Sequence, residues 1–346
     1  MDLDIRKKHN FFKKYAQVKS ILFKGNLDLR TPKISIVIPT YKRSKLLKET
    51  IESALGQKKI LDYEVVVVDN EPVFDVKTDT EKLIDEYNDE KLFYYKNEEN
   101  IGMMGNFNRC IELARGEYLT ILNDDDLLDL NYLEEANKRI DGEKAIYFAY
   151  RVSDEREKSN LQLAKKNSFK KLIRNSILNI FPKKQKLTAY SFFVGYLAAG
   201  TLGILYKKAN IIELGGFNDE YFPISDFAFN ASYVIKYGGI SFKLKLMTYR
   251  IASNESLNVG NRFPGLCLNL RRELIDIIGK YRTVLEDFAV TLYDLDRELF
   301  GNFWNIEVRD ELEGKVNRNT LRYRIKKKIV KMYLFIYFLF YYDVKD

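Results

Sequence analysis

From Lys33 onward the chain repeats one hydrophobic pattern: a short run of consecutive apolar residues, then a stripe of apolar residues at helical spacing. Ile34-Ser-Ile-Val-Ile38 reads as a strand that Pro39 stops, and Ser44 can cap a helix in which Leu47, Ile51, Ala54 and Leu55 share one face. Tyr63-Glu-Val-Val-Val-Val68 is almost uniformly apolar, as strands are when helices cover both faces of a parallel sheet, and Asp69-Asn70 ends it. A second helical step runs through Lys82 to Tyr87. Leu92 to Tyr95 gives another strand, Met103 to Arg115 a helix after Gly102, and Tyr118 to Leu122 a strand ending in Asn123-Asp-Asp-Asp126. Leu127 to Arg139 reads as the next helix. The alternation predicts an α/β fold, a mostly parallel sheet flanked by helices, with ligands bound beyond the carboxyl ends of the strands.

Further along, residues 165–186 carry eight Lys/Arg and no acid, with Phe169, Leu172, Ile173, Ile177, Leu178 and Phe181 at helical spacing. A globular pattern returns through Gly195 to Gly239, with Gly215-Gly-Phe217 as a turn and Asp226 opening a helix to Tyr237. The expected organisation is a basic arm over 1–30, an α/β domain over 31–255 in two halves, 31–126 and 127–255, and a helical region over 256–346. That region ends in a basic stretch and an aromatic tail.

Composition narrows the chemistry. The chain has 346 residues, 57 basic against 49 acidic for a net charge of +8, with 24 Tyr and 23 Phe, which suits an anionic partner without choosing among phosphate, membrane and nucleic acid. Cys110 and Cys267 lie far apart without metal-ligand spacing, so they read as buried thiols of a reducing compartment. His9 is the only histidine, which disfavours a Ser-His-Asp triad or a multi-histidine zinc site and leaves acid–base work to carboxylates. The N-terminus lacks the apolar core and cleavage site of a signal peptide, predicting a cytoplasmic protein. The longest apolar run, Met332 to Tyr342, is 11 residues, too short to cross a bilayer core of about 30 Å as a helix.

Four places could carry chemistry. The carboxylates Asp124, Asp125 and Asp126 at one strand end repel one another unless a cation neutralises them, so they are either a divalent-metal site or a solvated loop with Asp126 capping a helix. Asp69 is either an acceptor for a base or ribose hydroxyl or an ordinary turn residue. Asn100 with Gly102 sits where a helix N-terminus would favour phosphate or sugar hydroxyls, or it is a glycine turn with an Asn cap. Asp226 is a general base, a helix cap, or both. Neither a G-x-x-x-x-G-K-[ST] loop nor a G-x-G-x-x-G fingerprint occurs.

Taken in order, Pro39-Thr-Tyr-Lys-Arg43, Val67-Val-Asp-Asn70, Asn100-Ile-Gly102, Gly116-Glu-Tyr-Leu-Thr-Ile-Leu-Asn-Asp-Asp-Asp126 and Gly215-Gly-Phe217 with Asp226 resemble the family 2 glycosyltransferases. The resemblance spans about Lys33 to Tyr237. It implies the GT-A fold, an inverting mechanism and a nucleoside-diphosphate-sugar donor, a UDP-sugar in the first instance. By the same resemblance Pro39, Thr40, Tyr41 and Arg43 line the nucleotide pocket and Asp69 pairs with the base. Asn100, Gly102 and Asn106 flank the donor, and Asp124 lies near ribose or the donor sugar. Asp125, with Asp126 beside it, would hold Mn²⁺ or Mg²⁺, and Asp226 would match the catalytic base. The chain departs from the pattern at Asn123, Phe107 and Ser225, where the family often has an acid, an Arg and a Glu, and no later histidine can complete the metal site.

The resulting expectation is an enzyme moving a hexose to a saccharide acceptor, polyprenyl-diphosphate-linked, in capsule, exopolysaccharide or O-antigen synthesis. Three rivals are a catalytically inactive scaffold of the same fold, a sugar nucleotidyltransferase and a basic nucleic-acid-binding protein. The basic residues gather in amphipathic segments outside the expected pocket, a pattern pointing to an anionic membrane surface and not to nucleic acid, with the enzyme peripheral on the inner face of the cell membrane.

Overall fold

The protein is represented by a computed structural model that describes residues 5, 7, 10–59, 62–154, 184–195, 200–251, 262–304 and 307–341. His9 and most of the basic amphipathic segment at 165–186 lie outside the described residues. The chain divides into two compact units: residues 1–153, 198–240 and 244–250 form the first, and residues 154–197, 241–243 and 251–346 the second.

The first unit is built on strands β1 (Ser20–Lys24), β2 (Ile34–Thr40), β3 (Tyr63–Asp69), β4 (Leu92–Asn97), β5 (Tyr118–Ile121), β6 (Leu127–Leu128), β7 (Ala145–Asp154), β9 (Ile204–Lys207) and most of β10 (Gly239–Ile251); β8 (Lys184–Leu187) belongs to the second unit. Their order across the sheet is β1-β4-β3-β2-β5-β9-β7-β10-β6. The middle, β4-β3-β2-β5, is parallel, and antiparallel neighbours extend it on both sides. Every residue of β2, β3 and β4 is buried, as the continuous apolar runs foretell. Helices α1 (Ser44–Leu55), α2 (Asp79–Asp85) and α3 (Gly102–Leu113) connect these strands, and α1 buries Leu47, Ile51 and Ala54. Chain order runs outward from β2 to β3 and β4 on one side and to β5 on the other, so the switch of direction, and the crevice it opens, falls between β2 and β5.

Two local expectations are corrected. Ser44 is the first residue of α1 rather than its cap; Arg43 stands at the cap position with no side-chain cap bond. The helix expected over Leu127 to Arg139 is shorter, α4 (Tyr132–Asn137), because Leu127 and Leu128 pair with Thr248 and Met247 of β10. Long-range pairing overrides the local helical spacing there.

The second unit contains α5 (Ala189–Val194) and three long helices, α8 (Phe263–Ile278), α9 (Arg282–Trp304) and α10 (Leu321–Tyr341); α6 (Lys208–Leu214) and α7 (Ser225–Tyr237) belong to the first. α10 is held by its polar inner face: Arg318, just before it, donates to both oxygens of the buried Asp294 at 2.8 and 2.9 Å, and Tyr323 OH donates to the same carboxylate. Tyr333 packs on Phe288 with ring centroids 5.7 Å apart. The other face carries Leu321, Ile325, Ile329, Met332, Phe335 and Ile336, all exposed. Among the described residues no helix is long and apolar enough to cross a membrane. Both Cys110 and Cys267 are buried free thiols, as expected.

Candidate active site

The site is assembled along the carboxyl rim of the parallel strands. Thr40, Asp69 and Lys96 stand in register on β2, β3 and β4. Pairing of β5 with β2 stops at Val37, short of Pro39, whose nitrogen has no hydrogen to give, and the chain of β5 turns there into the acidic loop. Thr40 Oγ1 donates to Asp124 Oδ2 at 2.8 Å, so the first motif and the acidic loop touch directly. Arg43 spans two carboxylates, with Nη1 3.0 Å from Asp124 Oδ1 and Nη2 2.9 Å from Asp125 Oδ2. Tyr41 stays exposed, its ring beneath Lys42 Nζ at 5.1 Å from the centroid.

The three aspartates have different surroundings. Burial lifts the Asp124 carboxyl to about 6 against the opposing pull of Arg43. Burial, with the charge of Asp125 added, also raises Asp126. Both Asp126 oxygens accept hydrogen bonds, one from Asn123 Nδ2 at 2.9 Å and one from the Arg250 main-chain N–H at 3.0 Å. Asp126, expected beside the metal, is therefore engaged as a brace in this structure, and the alternative in which it caps a helix fails because that helix starts at Tyr132. Arg250 is itself buried: Nε donates to the Asp125 carbonyl, Nη1 lies 2.6 Å from Glu49 Oε2, and Nη2 donates to the Leu46 carbonyl at 3.2 Å. It ties α1, the acidic loop and β10 together.

Asp69 is fully buried, accepting from Tyr94 OH at 2.8 Å and from the Glu71 N–H at 2.9 Å, and burial pushes it up to about 6. Beside it on β4, buried Lys96 pairs with Glu81 at 2.9 Å. Asn100 Oδ1 accepts from Gly102 N at 2.9 Å and from Asn70 Nδ2 at 2.7 Å, while Asn106 Nδ2 donates to the Val68 carbonyl at 2.9 Å and its Oδ1 accepts from Asn97. Asn100 and Asn106 thus shape the loop at the start of α3, where Gly102 takes φ +73°. Asn70 and Asn97 complete this amide network, and only their position at strand ends could have singled them out.

Asp226 is the second residue of α7; Ile224 is the cap, and Asp226 Oδ1 accepts from the Phe227 N–H at 2.7 Å. Its other oxygen abuts Gly200. Next to this pair, the hydroxyls of Thr201 and Ser225 are buried without a hydrogen-bond partner. Tyr249, next to Arg250 on β10, has its phenol raised by burial, with the charges of Asp126, Asp125 and Asp226 adding to the effect. Sequence reasoning left Tyr249 and Arg250 unassigned because their partners lie far away along the chain.

Among the described residues no group of three or more His, Cys, Asp and Glu side chains is arranged to hold a metal ion. A hard divalent cation asks for less, since Mg²⁺ and Mn²⁺ are commonly held by one or two carboxylates plus substrate phosphates and water. Asp124 and Asp125 offer hard oxygens side by side, and the guanidinium of Arg43 already rests on both as a cation. This donor set fits an ion shared with a substrate diphosphate.

Residues 35–205 match the model of glycosyl transferase family 2. The chain is 35% identical over 98 residues to the GalNAc(5)-diNAcBac-PP-undecaprenol beta-1,3-glucosyltransferase of Campylobacter jejuni, covering 28% of this chain and 31% of that protein. It spans less than half the length of the first curated relatives it matches. Among solved structures, it resembles TarS 1-349 of S. aureus in complex with UDP-GlcNAc, with a TM-score of 0.52 at 15% identity over 87% of this chain and 80% of that one. It also resembles the mannosyltransferase PcManGT of Pyrobaculum calidifontis in complex with GDP-Man and Mn²⁺, with a TM-score of 0.52 at 16% identity, covering 94% and 90% of the two chains. The fold is the GT-A fold that the motifs imply.

Proposed function

We propose, from the premise that this chain belongs to glycosyl transferase family 2, that it transfers a hexose from a nucleoside-diphosphate sugar, first of all a UDP-sugar, to a saccharide acceptor with inversion at the anomeric carbon. The observation that carries the reading is the joining of the first motif to the acidic loop, Thr40 and Arg43 both bonding Asp124 and Arg43 also Asp125, at the rim where Thr40 and Asp69 end their strands. Asp124 and Asp125 are then the carboxylate pair suited to a cation, and Asp226, on α7, is a separate carboxylate suited to a base.

Asp69, at the end of β3, is the residue the resemblance assigns to the base, although in this structure it is buried and bonded to Tyr94 and the Glu71 N–H, and the Asn100–Gly102 loop is the segment assigned to the donor. Asp124 and Asp125 would hold Mn²⁺ or Mg²⁺ together with the diphosphate, where the ion would supply neutralisation of the leaving group's charge. Asp226 accepts the proton of the acceptor hydroxyl as that oxygen attacks C1 from the face opposite the diphosphate. Arg250, through the Asp125 carbonyl and Asp126, keeps the acidic loop in place before the cation arrives. Such fixed positioning is worth several kcal/mol of barrier in favourable cases.

The acceptor is lipid-linked and the enzyme works on the inner face of the membrane in surface polysaccharide synthesis. The exposed stripe of α10, Leu321, Ile325, Ile329, Met332 and Ile336, supports this, because Arg322, Arg324, Lys328 and Lys331 lie along or beside it. An apolar band among cations suits the boundary between anionic headgroups and acyl chains. The test is a panel of nucleotide sugars scored for hydrolysis and thermal stabilisation with and without Mn²⁺. One donor that stabilises and is hydrolysed only with Mn²⁺ is expected; a panel with no Mn²⁺-dependent response overturns the reading.

A further inference from the structure

The bridge from Arg43 to Asp124 and Asp125 has a role beyond lining the nucleotide pocket: we propose that Arg43 is the built-in counter-ion of the acidic pair and must be displaced for a divalent cation to bind. This inference rests on the metal-dependent reading above. Three observations support it. The guanidinium fork grips both carboxylates at once, 3.0 Å from Asp124 Oδ1 and 2.9 Å from Asp125 Oδ2. The two carboxylates are nearly buried, at 8% and 6% side-chain exposure, so they need a cation at all times, whereas Arg43, at 26%, is the partner with room to swing away. Arg43 stands at the cap position before α1, and its side chain faces the acids instead of making a cap bond.

A cation at Asp124 Oδ1 and Asp125 Oδ2 competes with the guanidinium for the same oxygens. An incoming Mn²⁺ meets both direct competition and like-charge repulsion, and in the absence of nucleotide Arg43 wins. A diphosphate changes the balance, because it brings oxygens for the metal and an alternative bidentate acceptor for Arg43. The displaced fork turns to the diphosphate, and metal and nucleotide then bind as one cooperative unit. Arg250 takes no part in the exchange: it holds the loop from the main-chain side and is buried.

The experiment measures the Mn²⁺ dissociation constant by electron paramagnetic resonance of free Mn²⁺, with and without UDP, and takes the ratio of the two. The parent should bind Mn²⁺ weakly alone and much more tightly with UDP. Arg43→Gln should tighten nucleotide-free Mn²⁺ binding about tenfold or more and shrink the ratio by a similar factor, which is the loss of coupling between the sites. A mere loss of structure would weaken both measurements and leave the ratio. Arg43→Lys, which keeps the charge and loses the fork, should also shrink the ratio and serves if the Gln variant does not fold. A ratio equal to that of the parent in the folded variant overturns the counter-ion role while leaving the metal reading intact. A parent whose Mn²⁺ binding ignores UDP, or is unchanged in Asp125→Asn, overturns both.

Discussion

Asp226 Oδ2 lies 3.1 Å from the point that a Cβ on Gly200 would occupy, and Gly200 takes φ +65°, a conformation that side-chain-bearing residues rarely adopt. Gly200→Ala should therefore act through Asp226. The added methyl presses on the carboxylate, and kcat should fall about tenfold or more, equivalent to about 1.4 kcal/mol of barrier, while UDP affinity stays within about twofold. Steady-state kinetics beside calorimetry reads both. An unchanged kcat in a folded variant would place the base elsewhere.

Asp226→Asn keeps the size of the side chain and removes its basicity. Loss of a general base costs on the order of 10²–10⁴ in rate, so kcat should collapse while nucleotide binding persists. Normal turnover at saturating donor would reject the assignment.

Asp125→Ala removes an oxygen donor that the proposed cation needs. Transfer and Mn²⁺-dependent nucleotide binding should both disappear, as they should for the parent in EDTA. Full activity in either case would take the acidic loop out of the mechanism.

The buried Asp69 predicts a pH effect of definite sign. Its carboxyl is raised from 3.8 to about 6, chiefly by burial, so the folded chain holds this proton more tightly than the unfolded chain. The stability it contributes is full below the unfolded value and is lost as the pH climbs through about 6. Asp69→Asn removes that slope, so the Tm of the variant relative to the parent should improve between about pH 4 and pH 7. A Tm difference that is flat across that range would contradict the burial argument.

For the membrane reading, the two faces of α10 make opposite predictions. Ile325→Glu with Ile329→Glu, on the exposed stripe, should change stability by no more than about 0.5 kcal/mol and abolish sedimentation with anionic liposomes. Removing everything after Val316 should instead destabilise the helical unit, because it strips Arg318 and Tyr323 from the buried Asp294. Liposome binding that survives the double substitution would move the membrane contact off this stripe.

The parallel centre of the fold was legible because its strands are long apolar runs, and Thr40, Asp69 and Asp124 to Asp126 were legible because each ends such a run. What the sequence hid is long-range. β1, Ser20-Ile-Leu-Phe-Lys24, is a short edge strand that owes its existence to pairing with β4, so the basic arm around it showed no element of its own. Leu127-Leu128 looked helical until β10 paired with it. Arg250 braces Asp126 from a position 124 residues later, and no local spacing announces that.

The lateral alignment of Thr40, Asp69 and Lys96 across three adjacent strands also limits how this protein can diverge. Side chains alternate faces along a strand, so one residue inserted or deleted within Val65–Val68 would turn Asp69 to the opposite side of the sheet while its neighbours stayed put. Lineages that change donor preference are thus confined to substitutions along this rim. Length variation is left to the segment after β3, where Val73, Phe74 and Val76 already stand in solvent.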